Sequence, residues 1–376
     1  MYQQLIDHLR NKRIVLLGMG REGHSTYNFI RRYLPEQKLI IADAKQVELD
    51  NDPNVEFVCG DGYLGAIDRA DIVIKTPGIP LLHFKRPQGV EITCQTDLFL
   101  RFSGFTCVGV TGTKGKTTTS TLIYSMLRAA GKEACLIGNM GYPVFDNIED
   151  CAGEIAVIEM SSHQLEFTTC SPHIAVLTNI YPEHLDHYDS FECYVGAKLN
   201  IVRNQSKGDT FIYNADQGPD GFFDLSKYPG EAVGVSVHTP GAEKYRDINS
   251  HLLGEHNIQN CMFAAEAARR LGVSDEDIMK ALKDYEGIEH RMEYFATVRG
   301  IKFVNDCIAT IPHSVMCAVE ALGDVDTLIF GGMDRGLDYS AFEKALEKSS
   351  IRNLVCCPIR DIKSACTWRR TGAKRR

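Results

Sequence analysis

Apolar residues along this chain come in short unbroken runs separated by stretches of helical period, unlike the strict alternation of a half-exposed sheet. From Arg13 the runs RIVLLG, KLIIAD, VEFVCG and DIVIKTPG enclose a helical stretch around 25–33. Strands joined through helices predict a parallel sheet covered on both faces. A second series, TCVGVTG, EACLIG, EIAVIEM, IAVLTNI and DTFIYNAD, carries a helix over 116–130 after its first strand. Gly, Pro and Asp interrupt any period between 217 and 250, after which 257–271 and 274–285 read as helices. The second of these opens on Ser274 with Asp277 three residues on, as in a capping box. The last region offers the strands KFVND, TLIFGG and NLVCC, with helices over 312–322 and 341–348. The pattern predicts an α/β chain of three domains: 1–93, 94–297 and a partial one over 298–360, followed by a tail over 361–376 that lacks apolar period and is expected to be disordered.

Composition narrows the function. At 376 residues, 44% hydrophobic and 24% charged, the chain is globular and longer than one core usually organises. Its 41 basic and 49 acidic residues give a net charge of −8, which argues against nucleic acid or an anionic membrane as a partner. The balance shifts in the tail, where six Lys/Arg stand against Asp361. The amino terminus has no apolar signal region, and no run approaches the roughly 18 residues of a membrane span, so a cytoplasmic location is expected. Thirteen cysteines without a Cys-x-x-Cys pair read as reduced thiols.

The strongest chemical signal is TGTKGKTTT at 111–119, between an apolar strand and a helix. Gly112, Thr113, Lys114, Gly115 and Thr118 belong to a turn whose amides suit phosphate oxygens, Lys116 can reach the β/γ oxygens, and the Thr117 hydroxyl suits Mg²⁺. The first glycine of the general P-loop pattern is replaced by Val110, with Gly109 one residue early. GMGREG supplies Gly18, Gly20 and Gly23 after the first strand, and Asp43 closes the next strand 20 residues after Gly23. That spacing suits a dinucleotide, although the glycines serve any diphosphate or a plain tight turn equally. Glu159 ends a strand in VIEMSSHQLE, where doubly wound sheets place ligands, and Glu183, His184, Asp186 and His187 crowd the segment after the next strand. By periodicity alone Lys198 is indistinguishable from a surface lysine.

Taken in order, TGTKGKTTT, IGNMG, VIEMSSHQLE, TNIYPEHLDHY, AKLNI, LLGEHNIQN, GIEHRME, VNDCIAT and GGMDRG resemble the Mur ligase family over about residues 10–358. The resemblance implies a Rossmann-like UDP-binding first domain, a central P-loop ATPase domain and an incomplete Rossmann-like carboxyl domain. It implies ATP and two Mg²⁺ sites: Lys116 on the phosphates, Thr117 and Glu159 on one metal, His184 on the other, and Lys198 carbamylated beside it. Asn260, Arg291 and Asp306 would meet adenine, phosphates and ribose. Gly18, Gly20, Gly23 and Ser25 would surround the UDP diphosphate, with Asp43, Thr76, Pro77 and Gly78 lining its crevice and Asn139 and Ser161 facing the muramoyl-alanine end.

The implied reaction activates a carboxylate as an acyl phosphate, which an amine then attacks. KTPGI and GMGREGHST resemble the family branch that joins glutamate, usually the D form, to UDP-N-acetylmuramoyl-L-alanine, and a monomer is expected. Thr310 and Arg335 fall at glutamate positions, Arg335 replacing the usual Lys, while Cys307, Ile308 and Ile311 replace Ser, Lys and Asn. An L-glutamate branch therefore stays open. So do an NAD-binding oxidoreductase fused to a P-loop protein and a silent nucleotide-binding regulator. The basic segment after 360 matches nothing in the family and implies an incomplete ligase.

Overall fold

A computed structural model describes residues 2–356 except 82–83, 139–142, 147, 149–154, 185–186, 218–223, 310 and 333–338. The expected tail at 361–376 lies outside the described residues. Two compact units emerge: 1–245 with 259–284, and 246–258 with 285–376.

The first unit holds two parallel sheets. In chain order its first part runs α1 (Gln3–Leu9), β1 (Ile14–Leu17), α2 (Arg21–Tyr33), β2 (Leu39–Asp43), β3 (Val55–Cys59), β4 (Ile72–Lys75), β5 (Glu91–Thr93) and α3 (Gln95–Phe102). The sheet order is β3-β2-β1-β4-β5, so the order reverses at β1, and its carboxyl edge there forms a crevice. Alternate residues separate the two faces: Ile14, Leu16, Ile72 and Ile74 join one core cluster, while Val15, Leu17 and Val73 join the other. Both faces are buried, which is why these strands read as unbroken apolar runs.

The second part runs β6 (Thr106–Thr111), α4 (Lys116–Ala129), β7 (Ala134–Gly138), β8 (Ile155–Glu159), α5 (Ser162–Leu165), β9 (Ile174–Leu177), α6 (Phe191–Arg203), β10 (Thr210–Asn214), β11 (Glu231–Val235), α7 (Glu255–Arg270) and α8 (Asp275–Lys283). Its order, β11-β10-β9-β6-β8-β7, puts β6 between β9 and β8. One core cluster continues across both sheets, and Phe29 of α2 stacks on Phe145 with ring centroids 4.5 Å apart. Among the described residues no helix is long and apolar enough to cross a membrane.

In the second unit, β12 (Glu293–Val298) and β13 (Ile301–Asn305) form an antiparallel hairpin. After α9 (Pro312–Leu322), β14 (Thr327–Phe330), α10 (Ser340–Lys348) and β15 (Asn353–Cys356) make a parallel βαβ pair. The boundary expected at 297 falls inside β12. Arg299 and Gly300 both take left-handed φ, +52° and +82°, and close a two-residue turn, so 293–298 must go with 301–305. KFVND accordingly pairs with β12 rather than with β14.

Other expectations also shift. Helix α2 starts at Arg21, four residues earlier than its apolar period, because extended Gly20 caps it directly from the glycine loop. Strands β5 and β11 and helices α1, α3 and α5 carry too few apolar repeats to stand out. Nine described cysteines are free, as expected, but Cys135 is disulfide-bonded.

Asp97 braces α3 against the segment before β9. Its carboxylate is 0% exposed and accepts Thr169 N–H at 2.6 Å, Cys170 N–H at 3.2 Å and the Thr93 hydroxyl at 2.8 Å. Removing it strands buried donors, so Asp97→Ala is expected to cost about 3 kcal/mol. The thermal midpoint of the variant checks this, and an unchanged midpoint would contradict it.

Candidate functional site

The loop 112–115 leaves β6 at the centre of the second sheet, where three strand ends converge. Register sets Val110 beside Glu159 of β8 and Thr111 beside Leu177 of β9. Gly112 has φ +151°, and a Cβ there would lie 1.9 Å from the Thr178 hydroxyl oxygen, so no side chain fits. Gly115, at φ +84°, caps α4, and its missing Cβ makes room for the Asn260 side-chain oxygen, which accepts from Thr119 at 3.3 Å. Asn179 fastens the loop: its carbonyl takes Thr113 N–H at 2.9 Å and its side-chain oxygen takes Lys114 N–H at 2.8 Å. The first turn of α4, which contains Lys116, Thr117 and Thr118, opens directly from this loop, so a helix amino terminus, the end that suits an anion, stands at it.

Three lysines gather at this loop. Lys116 Nζ donates to the carbonyls of Gly112 and Thr113, each at 3.0 Å. Lys198, carried by α6, is 2% exposed and donates to the same Gly112 carbonyl at 2.8 Å. Lys114 pairs with Glu183 at 2.8 Å. Burial, followed by the positive charge of Lys116, pushes the Lys198 amine well below its ordinary range, although Glu183 and Glu159 pull the other way. The proton is thereby lost more readily than from an ordinary lysine, and a deprotonated amine can add to carbon dioxide. Glu159, 3% exposed, lies at the end of β8 as the strand pattern required.

His184 adopts left-handed φ, +58°, and its ring lies 4.9 Å from that of His163. The His163 ring is also 4.1 Å from that of His187. Burial and the two neighbouring imidazoles push His163 down to about 3, so it stays neutral. Among the described residues no group of three or more His, Cys, Asp or Glu is arranged to cage a metal. Mg²⁺ is ordinarily held by one or two carboxylates completed by phosphate oxygens and water, and a buried Glu159 beside the loop strand fits that donor set.

The first sheet brings its own residues together at the reversal point. Gly18, at φ +91°, follows β1, and its Cβ would lie 2.2 Å from the Thr76 hydroxyl oxygen. Thr76, in the turn after β4 that continues through Pro77 and Gly78, bonds the Leu17 carbonyl through N–H at 2.9 Å and hydroxyl at 3.1 Å. A Cβ at Gly23 would meet the Gly18 carbonyl at 2.2 Å, so this glycine permits the helix to pack on the loop. A cleft of about 420 Å³ opens over Gly20, Arg21, His24, Ser25 and Asn28, facing Pro143 and Asp146.

Several expected ligands have other engagements. Both Asp43 oxygens accept backbone N–H groups, from Met19 at 2.8 Å and Lys45 at 2.9 Å, so the acid stabilises the glycine loop. Ser25 is buried and accepts from Gln95 at 3.0 Å. Ser161 caps α5 through Gln164, whose side chain also donates to Glu22 of α2 at 2.7 Å. Arg291 and Asp306 belong to the second unit, where Asp306 accepts Met292 N–H at 3.1 Å and Arg291 acts on it electrostatically. Asn139, Thr310 and Arg335 lie outside the described residues. Sequence reasoning missed Asn179, Tyr194 and His163. Tyr194 meets the Thr113 hydroxyl at 2.9 Å, and only its place on the Lys198 helix could have suggested it.

Comparison with known proteins agrees with this geometry. Residues 110–224 match the Mur ligase middle domain. A UDP-N-acetylmuramoylalanine–D-glutamate ligase of Pelodictyon phaeoclathratiforme is 32% identical over 383 residues, spanning 90% of this chain and 82% of that one. One from Bacteroides fragilis is 36% identical over 370 residues, spanning 90% and 82%. MurF from Acinetobacter baumannii shares the fold at a TM-score of 0.60 and 15% identity, over 94% of this chain and 84% of that one.

Lys116→Ala is expected to fold and lose ATP turnover, since Ala suits a helix start and the change removes only the charge and the two Nζ bonds to loop carbonyls. Gly112→Ala should lose nucleotide binding and also lower the thermal midpoint, because its Cβ enters the Thr178 side chain. Midpoints together with nucleotide titration separate the two. Normal turnover by folded Lys116→Ala would contradict the loop assignment.

Proposed function

The chain belongs to the Mur ligase family, and from that membership we propose that it joins D-glutamate to UDP-N-acetylmuramoyl-L-alanine at the expense of ATP. The observation that carries this reading is the convergence of Lys114, Lys116 and Lys198 on the Gly112 loop beside Glu159 and Glu183. Such a centre suits a polyphosphate, and the crevice between β1 and β4 in the same unit suits the diphosphate of a UDP-sugar.

The muramoyl-alanine carboxylate attacks the γ-phosphorus, ADP leaves, and an acyl phosphate remains. The glutamate amine then adds to the acyl carbon, loses a proton, and the tetrahedral intermediate collapses to an amide with release of phosphate. No side-chain nucleophile is required. The chain's residues hold the partners in line and offset charge: Lys116 and the α4 amides on the transferred phosphoryl group, Asn260 beside the loop, Glu159 and Thr117 on Mg²⁺, with His184 at a second metal site. Mg²⁺ would supply charge neutralisation on the phosphates. Lys198, whose proton burial and Lys116 make easier to lose, would combine with carbon dioxide, releasing a proton and becoming a carbamate anion suited to the second metal site. Arg291 and Asp306 would hold phosphate and ribose, and Thr310 and Arg335 the glutamate. We place the enzyme in the cytoplasm as a monomer that binds no nucleic acid. The NAD reading loses support from Asp43, whose oxygens both accept loop N–H groups.

Phosphate release from ATP should require UDP-N-acetylmuramoyl-L-alanine and rise with D-glutamate more than with L-glutamate. Release indifferent to the UDP-sugar would refute the reading, and a preference for L-glutamate would reassign the amine substrate. Lys198→Ala should lose most ligation and recover part of it with a short-chain carboxylic acid that fills the carbamate's place. Parental activity in that variant would show that no carbamate is used.

A further inference from the structure

Lys75 ends β4, and its side chain is 1% exposed. An ammonium at that depth requires nearby carboxylates, and two act on it. Glu166, just past α5, places Oε2 3.6 Å from Lys75 Nζ, while Glu22 of α2 attracts it more weakly. One Glu22 oxygen takes the Gln164 amide at 2.7 Å and the other is buried without a hydrogen-bond partner. The Phe167 ring, 5.1 Å from Nζ, closes the group.

Contacts lead away from this pair in both directions. Glu166 Oε2 meets His187 Nε2 at 3.3 Å, and His187 packs on His163, which packs on His184. On the other side Lys75 Nζ donates to the Thr76 carbonyl at 3.3 Å, and Thr76 is bonded to the end of β1 next to Gly18. A continuous chain of contacts, buried at Lys75, thus runs from the crevice of the first sheet to the segment after β9.

We propose, on the functional reading above, that Lys75 is a positioning residue for ligation: through Glu166 it fixes the Thr76–Gly78 turn, which would hold the UDP-sugar, relative to the His163–His184–His187 group at the phosphate end of the second sheet. Lys75 is too buried to touch substrate, so it acts through these partners. The two ends of the chain of contacts give the pair this role. A purely structural ion pair would have no reason to abut the substrate turn on one side and the histidine group on the other.

The test uses the full chain and three variants: Lys75→Met, Lys75→Arg, and the paired Lys75→Met/Glu166→Gln, which leaves no lone buried charge. Thermal midpoint, kcat, KM for each substrate, and calorimetric binding of the UDP-sugar without ATP are measured. Lys75→Met should raise KM for the UDP-sugar and lower kcat, each by about tenfold, while KM for ATP stays within about twofold. Lys75→Arg should restore part of both, and the paired variant should regain the midpoint but not the kinetics. A stable paired variant with both constants within about twofold of the parent overturns the proposal. If neither uncharged form folds, Glu166→Asp, which keeps both charges but draws the carboxylate back from Lys75 and His187, takes their place, and constants within about twofold of the parent in it overturn the proposal equally. A parent that neither binds the UDP-sugar nor releases phosphate with it removes the functional reading and the proposal together, whereas a working parent isolates the proposal.

Discussion

Two lysine amines share one acceptor, the carbonyl of Gly112, with Lys116 at 3.0 Å and Lys198 at 2.8 Å. Burial and the nearby charge of Lys116 both disfavour a proton on Lys198, and Glu183 and Glu159 offset only part of that. The arrangement persists because β6 is flanked on both sides, α4 and α6 both aim at its end, and Gly112 leaves no space to relax. Positive charge fixed in advance suits a polyphosphate, because the protein does not have to reorganise when the substrate arrives. Local discomfort of this kind is expected where function competes with stability.

The same requirement explains why the first unit contains two sheets. In the proposed ligation the activated carboxylate and the phosphate donor meet at one place, so the crevice of the first sheet and the Gly112 loop would have to be held relative to each other. The structure uses both apolar and polar means. Phe29 on Phe145 and the continuous core supply area, while Gln164 to Glu22 and Lys75 to Glu166 supply direction. Ser161 belongs to this set, because its cap on α5 places Gln164.

The second unit is built differently. Its hairpin and βαβ pair expose apolar side chains such as Phe295, Ile301 and Ile329, in contrast to the sealed strands β1 and β9. Asp306 and Arg291 nonetheless act on one another, and burial raises the Asp306 carboxyl. That is a more specific environment than a loose surface loop provides.

Much of this was legible in the chain as written. Unbroken apolar runs identified β1, β6, β8 and β9, because strands buried on both faces leave no polar alternation, and TGTKGKTTT identified the phosphate loop because glycine at 112 and 115 has a local steric cause. Other features depend on contacts that spacing does not record. The short β5 and residues 293–298 took their places through pairing partners. Lys198 looked like any surface lysine until α6 turned it onto a carbonyl 86 residues away, and Lys75 attracted no notice because its partner Glu166 comes from the other sheet. Asp43 and Ser25 were recognised as site residues, yet their bonds to Met19 and Gln95 make them supports of the loop. The sequence by itself determined which of the buried strands and tight glycine turns exist, since local sterics and period govern those. Only the tertiary structure decided which charged groups are buried, with whom, and in which protonation state, because desolvation and partner distance are properties of the packed chain.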